Sequence, residues 1–580
     1  MNKVLHIIDN IYPNLEDDSI TACLFDTRNY KNDINILKIF QIEQEELKEK
    51  LLNFTATIAN NLEEKIKNKD IYRYLISSNI IFEKSPYKTD YIYLFYKLNI
   101  VLKYIDNNNI KSIQIHSSNT SLIKFFNKFV ASKNISLDTT NSKNNFSIKQ
   151  FIMKNNTLSF IFKLYIESKK IKKKLIRNKK NNKKLVVSYY PNYFFEKNKF
   201  ISRYFSDISK KLNIEYDWLF IYADNIEKIK YEENILKKND FQNYNFLDSF
   251  INYKDFFEIY KKNKKILKEL NQINLKTLFI YNGINYSDIV IDDWKKSLAI
   301  VLIDTLIFEK KFYNFFQKYN YDEVIYLMEY QPWENMLNKI LHTKNIISKG
   351  TTHSVIRPNL VNYFHHQNIH DDLYLPDFVG ANGDGIYYQF LKNSFNKEQV
   401  LKIEAQRFNY LDDINLSETK NNNSLLITTS IDEIETKELL RTFAKAYQNE
   451  LFKTIYIKSH PDLPIDNIIK QINNFPIYKI LSGSMQEAFK NANIIYTTNS
   501  SSVLLEALLN KKRTITLFSL KSLPMSAINK HPLLFIATSV KKLNIILSDI
   551  HSCNNSKIVD DNMLYLNKQY QLWDKFLDVK

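Results

Sequence analysis

Between residues 425 and 517, short runs of consecutive apolar residues alternate with segments of helix length. Strands are predicted at 425–428, 454–457, 478–481, 494–496 and 514–517. A capping box of Ser430 and Glu433 is expected to open a helix running to Gln448, and a second box pairs Ser484 with Glu487. Another helix covers 501–510, and a shorter one lies near 467–473. Strands without polar alternation are buried on both faces, and such strands separated by helices build a parallel sheet covered on both sides. A less regular version of the pattern places strands at 185–189, 218–222, 278–281, 324–327 and 346–348. The predicted class is α/β, a pair of Rossmann-type parallel-sheet halves with a cleft between them. Ahead of them, strands at 4–8 and 112–115 and a helical stretch at 43–65 indicate an additional N-terminal α/β domain. The expected division is 1–165 for that domain, 166–184 for a basic linker, 185–418 for the first half and 419–580 for the second, the last boundary falling at the polar run 417–423.

Open α/β sheets bind ligands beyond the carboxyl ends of their strands, so polar residues at those ends are the candidates for chemistry. Only six glycines occur among 580 residues, and neither GxGxxG nor GxxxxGK[ST] is present. Any phosphate must therefore be held without a glycine-rich loop. TTNSSSVLLEALL, residues 497–509, offers another device. Ser500, Ser501 and Ser502 stand where a strand gives way to an apolar helix, whose N-terminus presents N–H groups to an anion. One serine satisfies an ordinary cap; three favour phosphate binding. Glu506, one turn further in, either reaches ribose hydroxyls or is a partly buried helix residue. His460 closely follows strand 454–457, where Pro461 biases it towards an extended conformation. A diphosphate or ribose contact is expected from His460 and Pro461, and Thr429 is assigned to the same nucleotide site.

Further strand ends carry acid–base groups. VIYLMEYQPWENML holds Glu329, Gln331, Trp333 and Glu334, with Pro332 suited to the first turn of a helix. IISKGTTHSVIRPNL holds His353, Ser354 and Arg357. A carboxylate and an imidazole at neighbouring strand ends can activate a hydroxyl nucleophile, which makes Glu329 and His353 the candidate bases. Arg357 would neutralise an anionic donor or acceptor group, and Glu334 and Asn382 are further candidate substrate contacts. Half of the glycines, Gly380, Gly383 and Gly385, fall in LPDFVGANGDGIYYQF, where positive φ or close approach of a ligand is expected. Asp384 between them is a turn residue or a base, the turn being favoured. His365, His366 and His370 lack the thiolate or carboxylate frame of a zinc site, and no metal site is expected.

Over half of the net charge of +18 sits at residues 169–184, which include ten lysines and arginines and no acid. This run is a solvated linker or a patch attracted to an anionic membrane surface. No RNA-binding or helix-turn-helix signature accompanies the charge, so nucleic acid is not an expected partner. Two cysteines, Cys23 and Cys553, build no disulfide framework and fit a reducing cytosol. The first residues lack the apolar core of a signal peptide, and the longest apolar stretch, 297–308, is too short to span a bilayer. The expected location is cytoplasmic, with peripheral contact at the inner face of the membrane.

Residues 185–580 resemble bacterial surface-carbohydrate glycosyltransferases of the GT-B type. The shared segments are PWE at 332–334, HSxxRP at 353–358, LPD with NG at 375–383, EAxRF at 404–408, HP at 460–461 and the serines at 500–502. The HP and serine pair is similar to one found in bacterial sialyltransferases, polysialyltransferases, Kdo transferases and CDP-glycerol glycerophosphotransferases. That resemblance implies that His460, Ser500, Ser501 and Ser502 grip the phosphate and ribose of a CMP-linked donor. GTTHS at 350–354 is similar to the loop whose histidine serves as base in the glycerophosphotransferases, although Ser354 stands where that loop has glycine. NGDG at 382–385 matches in part the acidic pair followed by glycine of the sialyltransferases, which would make Asp384 the base. The implied activity is transfer of a CMP-activated nonulosonic acid or Kdo to a surface glycan or glycolipid, without a metal or a resident cofactor. Transfer from a CDP-alditol, and a non-catalytic basic protein that docks on membranes or polymers, stand as the alternatives.

Overall fold

Three all-parallel sheets carry the chain, each interleaved with helices. The computed structural model describes residues 4–579 except 16–18, 26–29, 31, 141–154, 172–182, 197–198, 207, 209–211, 213, 224–227, 239–242, 355–359, 394, 414–422, 449–450, 462, 520–522, 524–527, 529–530 and 551–562. The first sheet has five strands, centred on Val4–Ile8 with Ile20–Cys23 on one side and Ser112–His116 on the other. The second has seven: Tyr244–Phe246, Tyr216–Tyr222, Lys184–Tyr190, Glu323–Leu327, Ile347–Thr351, Phe378–Ala381 and Val400–Lys402, in that spatial order. The third has six: Lys479–Ile480, Thr454–Lys458, Ser424–Thr428, Ile494–Thr498, Arg513–Leu517 and Leu534–Ala537. In both larger sheets the first strand in sequence lies inside, and later strands add first to one side and then to the other. Each therefore has a point where the strand order reverses, the place where open α/β sheets bind ligands at their carboxyl edge. In the second sheet it lies between Lys184–Tyr190 and Glu323–Leu327; in the third, between Ser424–Thr428 and Ile494–Thr498. The α/β class and the paired Rossmann-type sheets expected from the sequence are thus present.

Several local expectations need correction. The helix Glu433–Ala446 is capped by Asp432, whose carboxylate accepts from the Glu435 N–H at 2.8 Å. Ser430 instead accepts from the Asp432 N–H at 3.1 Å, forming the turn before the helix. Asp432 stands between serine and helix, and its charge favours the cap. Residues 278–281 are not a strand of the parallel sheet. They end the single turn Leu275–Leu278 and begin a short antiparallel pair, Ile280–Tyr281 with Ile284–Asn285. The box of Ser484 and Glu487 forms as expected, and Pro332 takes the first turn of helix Pro332–Thr343.

The N-terminal sheet and its helices share one hydrophobic core with the second sheet. Phe54 and Phe95 meet Tyr286 at ring-centroid separations of 5.2 and 5.1 Å. Lys84 and Lys97 are fully buried in this region, and burial pushes each ammonium down to about 7. An unfolded lysine titrates near 10.4, so between about pH 7 and pH 10 the unfolded chain holds a proton at each that the folded chain does not. Stability then rises with pH across that window. The thermal midpoint is expected to climb from about pH 7 to about pH 9, and Lys97→Met is expected to flatten part of the climb. A midpoint that falls over this range, or a slope indifferent to the substitution, would contradict the assignment.

After the third sheet the chain returns to the second. Helix Gln571–Asp578 places Trp573, Phe576 and Leu577 against Val186, Ile325 and Ile403. Glu404, itself buried, accepts from the N–H groups of Leu572 at 2.8 Å and Trp573 at 2.9 Å, and so caps that helix from a distance of 168 residues in sequence.

Candidate functional site

The carboxyl edge of the second sheet joins two of the sequence-predicted groups. Glu323–Leu327 and Ile347–Thr351 are adjacent parallel strands, so the residues just beyond them, Glu329 and His353, emerge side by side. His353 Nε2 lies 3.3 Å from Glu329 Oε1. The other carboxylate oxygen accepts from Gln331 Nε2 at 2.5 Å and from the Tyr189 hydroxyl at 3.5 Å. Tyr189, at the end of the neighbouring strand, is in turn fixed by the Trp333 indole N–H at 3.0 Å. Burial alone would raise the Glu329 carboxyl, but His353, Gln331 and the charge of Lys88 hold it below the usual carboxylate range. An ionised Glu329 draws the imidazole proton to Nε2 and leaves Nδ1 with a lone pair. That Nδ1 is buried, with no hydrogen-bond partner among the described residues, and the Tyr204 ring packs edge-on against the imidazole at 4.7 Å. A histidine oriented by a carboxylate, with its second nitrogen unsatisfied, has the arrangement of a general base.

Glu334 has a different place from the one expected. Its carboxylate turns back to accept from the N–H groups of Glu329 at 3.1 Å, Tyr330 at 2.9 Å and Gln331 at 3.2 Å. It caps helix Pro332–Thr343 and wraps the preceding loop around itself, which takes Tyr330 to φ +64°. A non-glycine residue in that region costs roughly 1 kcal/mol or more, so the loop that carries Glu329 is set by Glu334 against a local preference.

The second rim lies at the reversal point of the third sheet. Thr428 donates to Thr497 across the two central strands at 2.7 Å. Just beyond, the His460 N–H donates to the Thr429 hydroxyl at 3.1 Å, and the Ser430 and Ser500 hydroxyls are 3.5 Å apart. The imidazole loop and the serine turn therefore share one edge, with Thr429 and Ser430 between them. Ser501 is half-buried and its hydroxyl accepts from the Val503 N–H at 3.2 Å. Ser500 donates to the Glu435 carboxylate. Ser502 donates at 2.8 Å to Glu506, which also accepts from Tyr410. Glu506 is buried and held by these two hydroxyls. Pro461 is exposed at the lip of the rim. A carboxylate at Ser500 suits sugar or ribose hydroxyls, which donate to it, better than it suits phosphate oxygens.

Asp384 begins helix Asp384–Asn393, bonds Lys402 at 2.8 Å and accepts from the Tyr565 hydroxyl. Asn382 is buried; its side-chain amide donates to the Ser354 carbonyl at 3.2 Å, and its own carbonyl accepts from the Tyr565 N–H at 3.0 Å. The three glycines here do not have positive φ. A side chain at Gly383 would sit 2.0 Å from the Met563 carbonyl oxygen, and one at Gly380 would meet Ile403 at 2.7 Å. The close approach anticipated at Gly383 is to the chain's own backbone rather than to a ligand. Leu564 continues into a cluster with Ala405, Phe408 and Leu505, the last on the helix that follows the serines. Residues 563–566 thus tie the edge of the second sheet to the helix behind the third sheet's rim. Arg357 lies outside the described residues, as does most of the basic run after Ile171. The three histidines have separate surroundings: His365 packs against Tyr330, His366 caps a turn through Asn368, and His370 meets Phe395.

The roles of Tyr189, Gln331, Tyr204, Ser430, Glu435, Tyr410 and Tyr565 were not apparent from the sequence. Tyr189 and Ser430 stand at strand ends beside the reversal points, the one signal that marks them in advance.

No protein-family model matches this chain, and no curated protein matches it in sequence. Among solved structures, UDP-GlcNAc 2-epimerase from Neisseria meningitidis bound to UDP-GlcNAc is 11% identical, covering 64% of this chain and 91% of its own at a TM-score of 0.35. MurG from Acinetobacter baumannii is 10% identical with the same coverage and a TM-score of 0.35. A glycosyltransferase from Rickettsia africae is 12% identical, covering 64% of this chain and 88% of its own at 0.33. No helix among the described residues is long and apolar enough to cross a membrane.

Proposed function

We propose that this chain is a glycosyltransferase that moves a sugar from a nucleotide donor to a glycan or glycolipid hydroxyl. The reading rests on the 3.3 Å pairing of His353 with Glu329 at adjacent strand ends. His353 Nδ1, enclosed until an acceptor seats against it, takes the proton of the acceptor hydroxyl as its oxygen attacks the anomeric carbon. Glu329 keeps the opposite tautomer in place and stabilises the imidazolium that forms. The leaving nucleotide departs to the third sheet, where Ser501 and the His460 loop meet the developing phosphate charge and Glu435 receives ribose hydroxyls. A cytidine nucleotide is the proposed carrier, linked to a nonulosonic acid or Kdo. Asp384, already held by Lys402 and Tyr565, supports the link between the two sheets.

Nucleotide binding tests the rim directly. A ligand that binds the folded state at a hundred times its Kd stabilises by about 2.7 kcal/mol. CMP is expected to raise the thermal midpoint of the wild type, and Ser501→Ala and His460→Ala are each expected to lower its affinity about tenfold, the loss of about 1.4 kcal/mol of contact. A response to UMP in place of CMP would replace the donor base. No response to any nucleotide would remove the rim from the account.

A further inference from the structure

Helix Asn156–Ile171 packs Phe160, Leu164 and Ile171 against the core and also carries a second, outward apolar stripe. Its charged side faces the protein: Lys163 pairs with Asp304 at 2.7 Å, Glu167 with the buried Lys311 at 2.7 Å, and Lys170 with Asp248 at 3.1 Å. Its opposite side carries Leu158, Ile161, Phe162 and Tyr165 at helical spacing, and Ile161, Phe162 and Tyr165 are 58%, 56% and 58% exposed. A helix of a soluble protein normally buries that stripe and leaves its ion pairs in water. On its inward side, Phe160 packs on Tyr260 of the neighbouring helix Asp255–Leu270 at 5.4 Å. On that helix Phe257 is 62% exposed and Tyr260 39%, and Tyr253 just before it is 54% exposed. Lysines lie directly over these rings: Lys169 over Tyr165 at 4.6 Å, Lys261 over Phe257 at 4.2 Å and Lys264 over Tyr260 at 5.5 Å.

We infer that this face docks on an anionic lipid bilayer surface, with Ile161, Phe162 and Phe257 entering the headgroup boundary and Lys169, Lys261 and Lys264 meeting lipid phosphates. Exposed aliphatic and aromatic side chains interleaved with lysines have the composition of an interfacial helix. Lysine stems lie along the apolar surface while their ammonium groups reach the headgroups. A water-facing role accounts for the ion pairs but not for the outward stripe. A second protein copy would gain nothing from lysines, which would oppose one another across a symmetric contact. The charge therefore selects an anionic partner, and the apolar stripe selects one with a hydrocarbon interior. In sequence the helix leads into the lysine-rich residues 169–184, of the same sign.

The test is co-sedimentation of the full chain with vesicles of phosphatidylcholine alone and of phosphatidylcholine with phosphatidylglycerol, without donor or acceptor. Its outcome is therefore independent of the transfer reading. The wild type is expected to partition at least tenfold better onto the anionic vesicles. Ile161→Glu with Phe162→Glu, and separately Lys261→Glu with Lys264→Glu, are each expected to lose most of that partition while keeping the wild-type thermal midpoint. Ile477→Glu, at a side chain 95% exposed elsewhere, is expected to change nothing. Equal partition onto both vesicles, or retention by both double variants, would overturn the inference. So would a wild-type dimer in sedimentation equilibrium that the Ile161 and Phe162 substitutions dissolve.

Discussion

Glu329→Gln is expected to lower turnover by about a thousandfold, within the range that positioned general bases supply. The substitution keeps the size and hydrogen-bonding capacity of the side chain and removes the charge that pairs with His353 at 3.3 Å. Without that charge the imidazole is free to carry its proton on Nδ1, the nitrogen that has no partner among the described residues and must accept in the proposed step. The imidazolium formed during attack also loses its counter-ion. Nucleotide affinity is expected to stay within twofold, because the rim at Ser501 and His460 belongs to the other sheet. His353→Ala is expected to cost as much, and the double variant little more than either, since the pair acts as a unit. The Glu329→Gln profile of kcat against pH is expected to change in its limb as well as its height. Equal loss in nucleotide binding, or additive losses in the double variant, would show that Glu329 has only a packing role.

Trp573→Ala is expected to destabilise the protein by about 3–5 kcal/mol. Trp573 is 2% exposed, packs on Phe205 and Phe576 at centroid distances of 6.3 and 5.6 Å, and donates its indole N–H to the Glu404 carbonyl at 2.9 Å. Truncation leaves a cavity under the second sheet and an acceptor without its donor. Such a loss is a large part of the 5–15 kcal/mol that holds a domain together. Urea denaturation should show the midpoint falling sharply, with Trp573→Phe recovering part of it. If the helix is only loosely attached, the midpoint will hold while the last residues become open to protease. That result would contradict the docking of Gln571–Asp578 as part of the core.

The third sheet was the most legible part of the sequence, for a physical reason. Strands such as Ser424–Thr428 and Ile494–Thr498 are buried on both faces, so their apolar runs are unbroken and their ends are sharp. Once those ends are placed, parallel pairing puts Thr429, His460 and Ser500 on one edge. The same logic put Glu329 beside His353. Short or half-buried edge strands were missed: Leu534–Ala537 is an apolar run of only four residues, most of it half-buried, and Val400–Lys402 is three residues long and ends on a lysine. Residues 278–281 misled because an apolar run of that length reads equally as a strand or as the end of a helical turn. Long-range polar contacts left no local trace. Nothing around Glu334 announces that its carboxylate serves three backbone N–H groups. Nor does anything near Glu404 point to Leu572 and Trp573. Asp432 outcompeted Ser430 as a cap because two capping residues stood within one turn, and the sequence pattern gave no order between them.

The most direct measurement is release of free nucleotide when the purified chain is given CMP-sialic acid, CMP-Kdo, CDP-glycerol and UDP-GlcNAc, each with and without a glycan acceptor. The account predicts acceptor-dependent release from a cytidine-linked donor by the wild type and its near abolition in His353→Ala. Wild-type protein that binds nucleotides yet releases none from any of the four, or a His353→Ala variant that turns over at the wild-type rate, would contradict it.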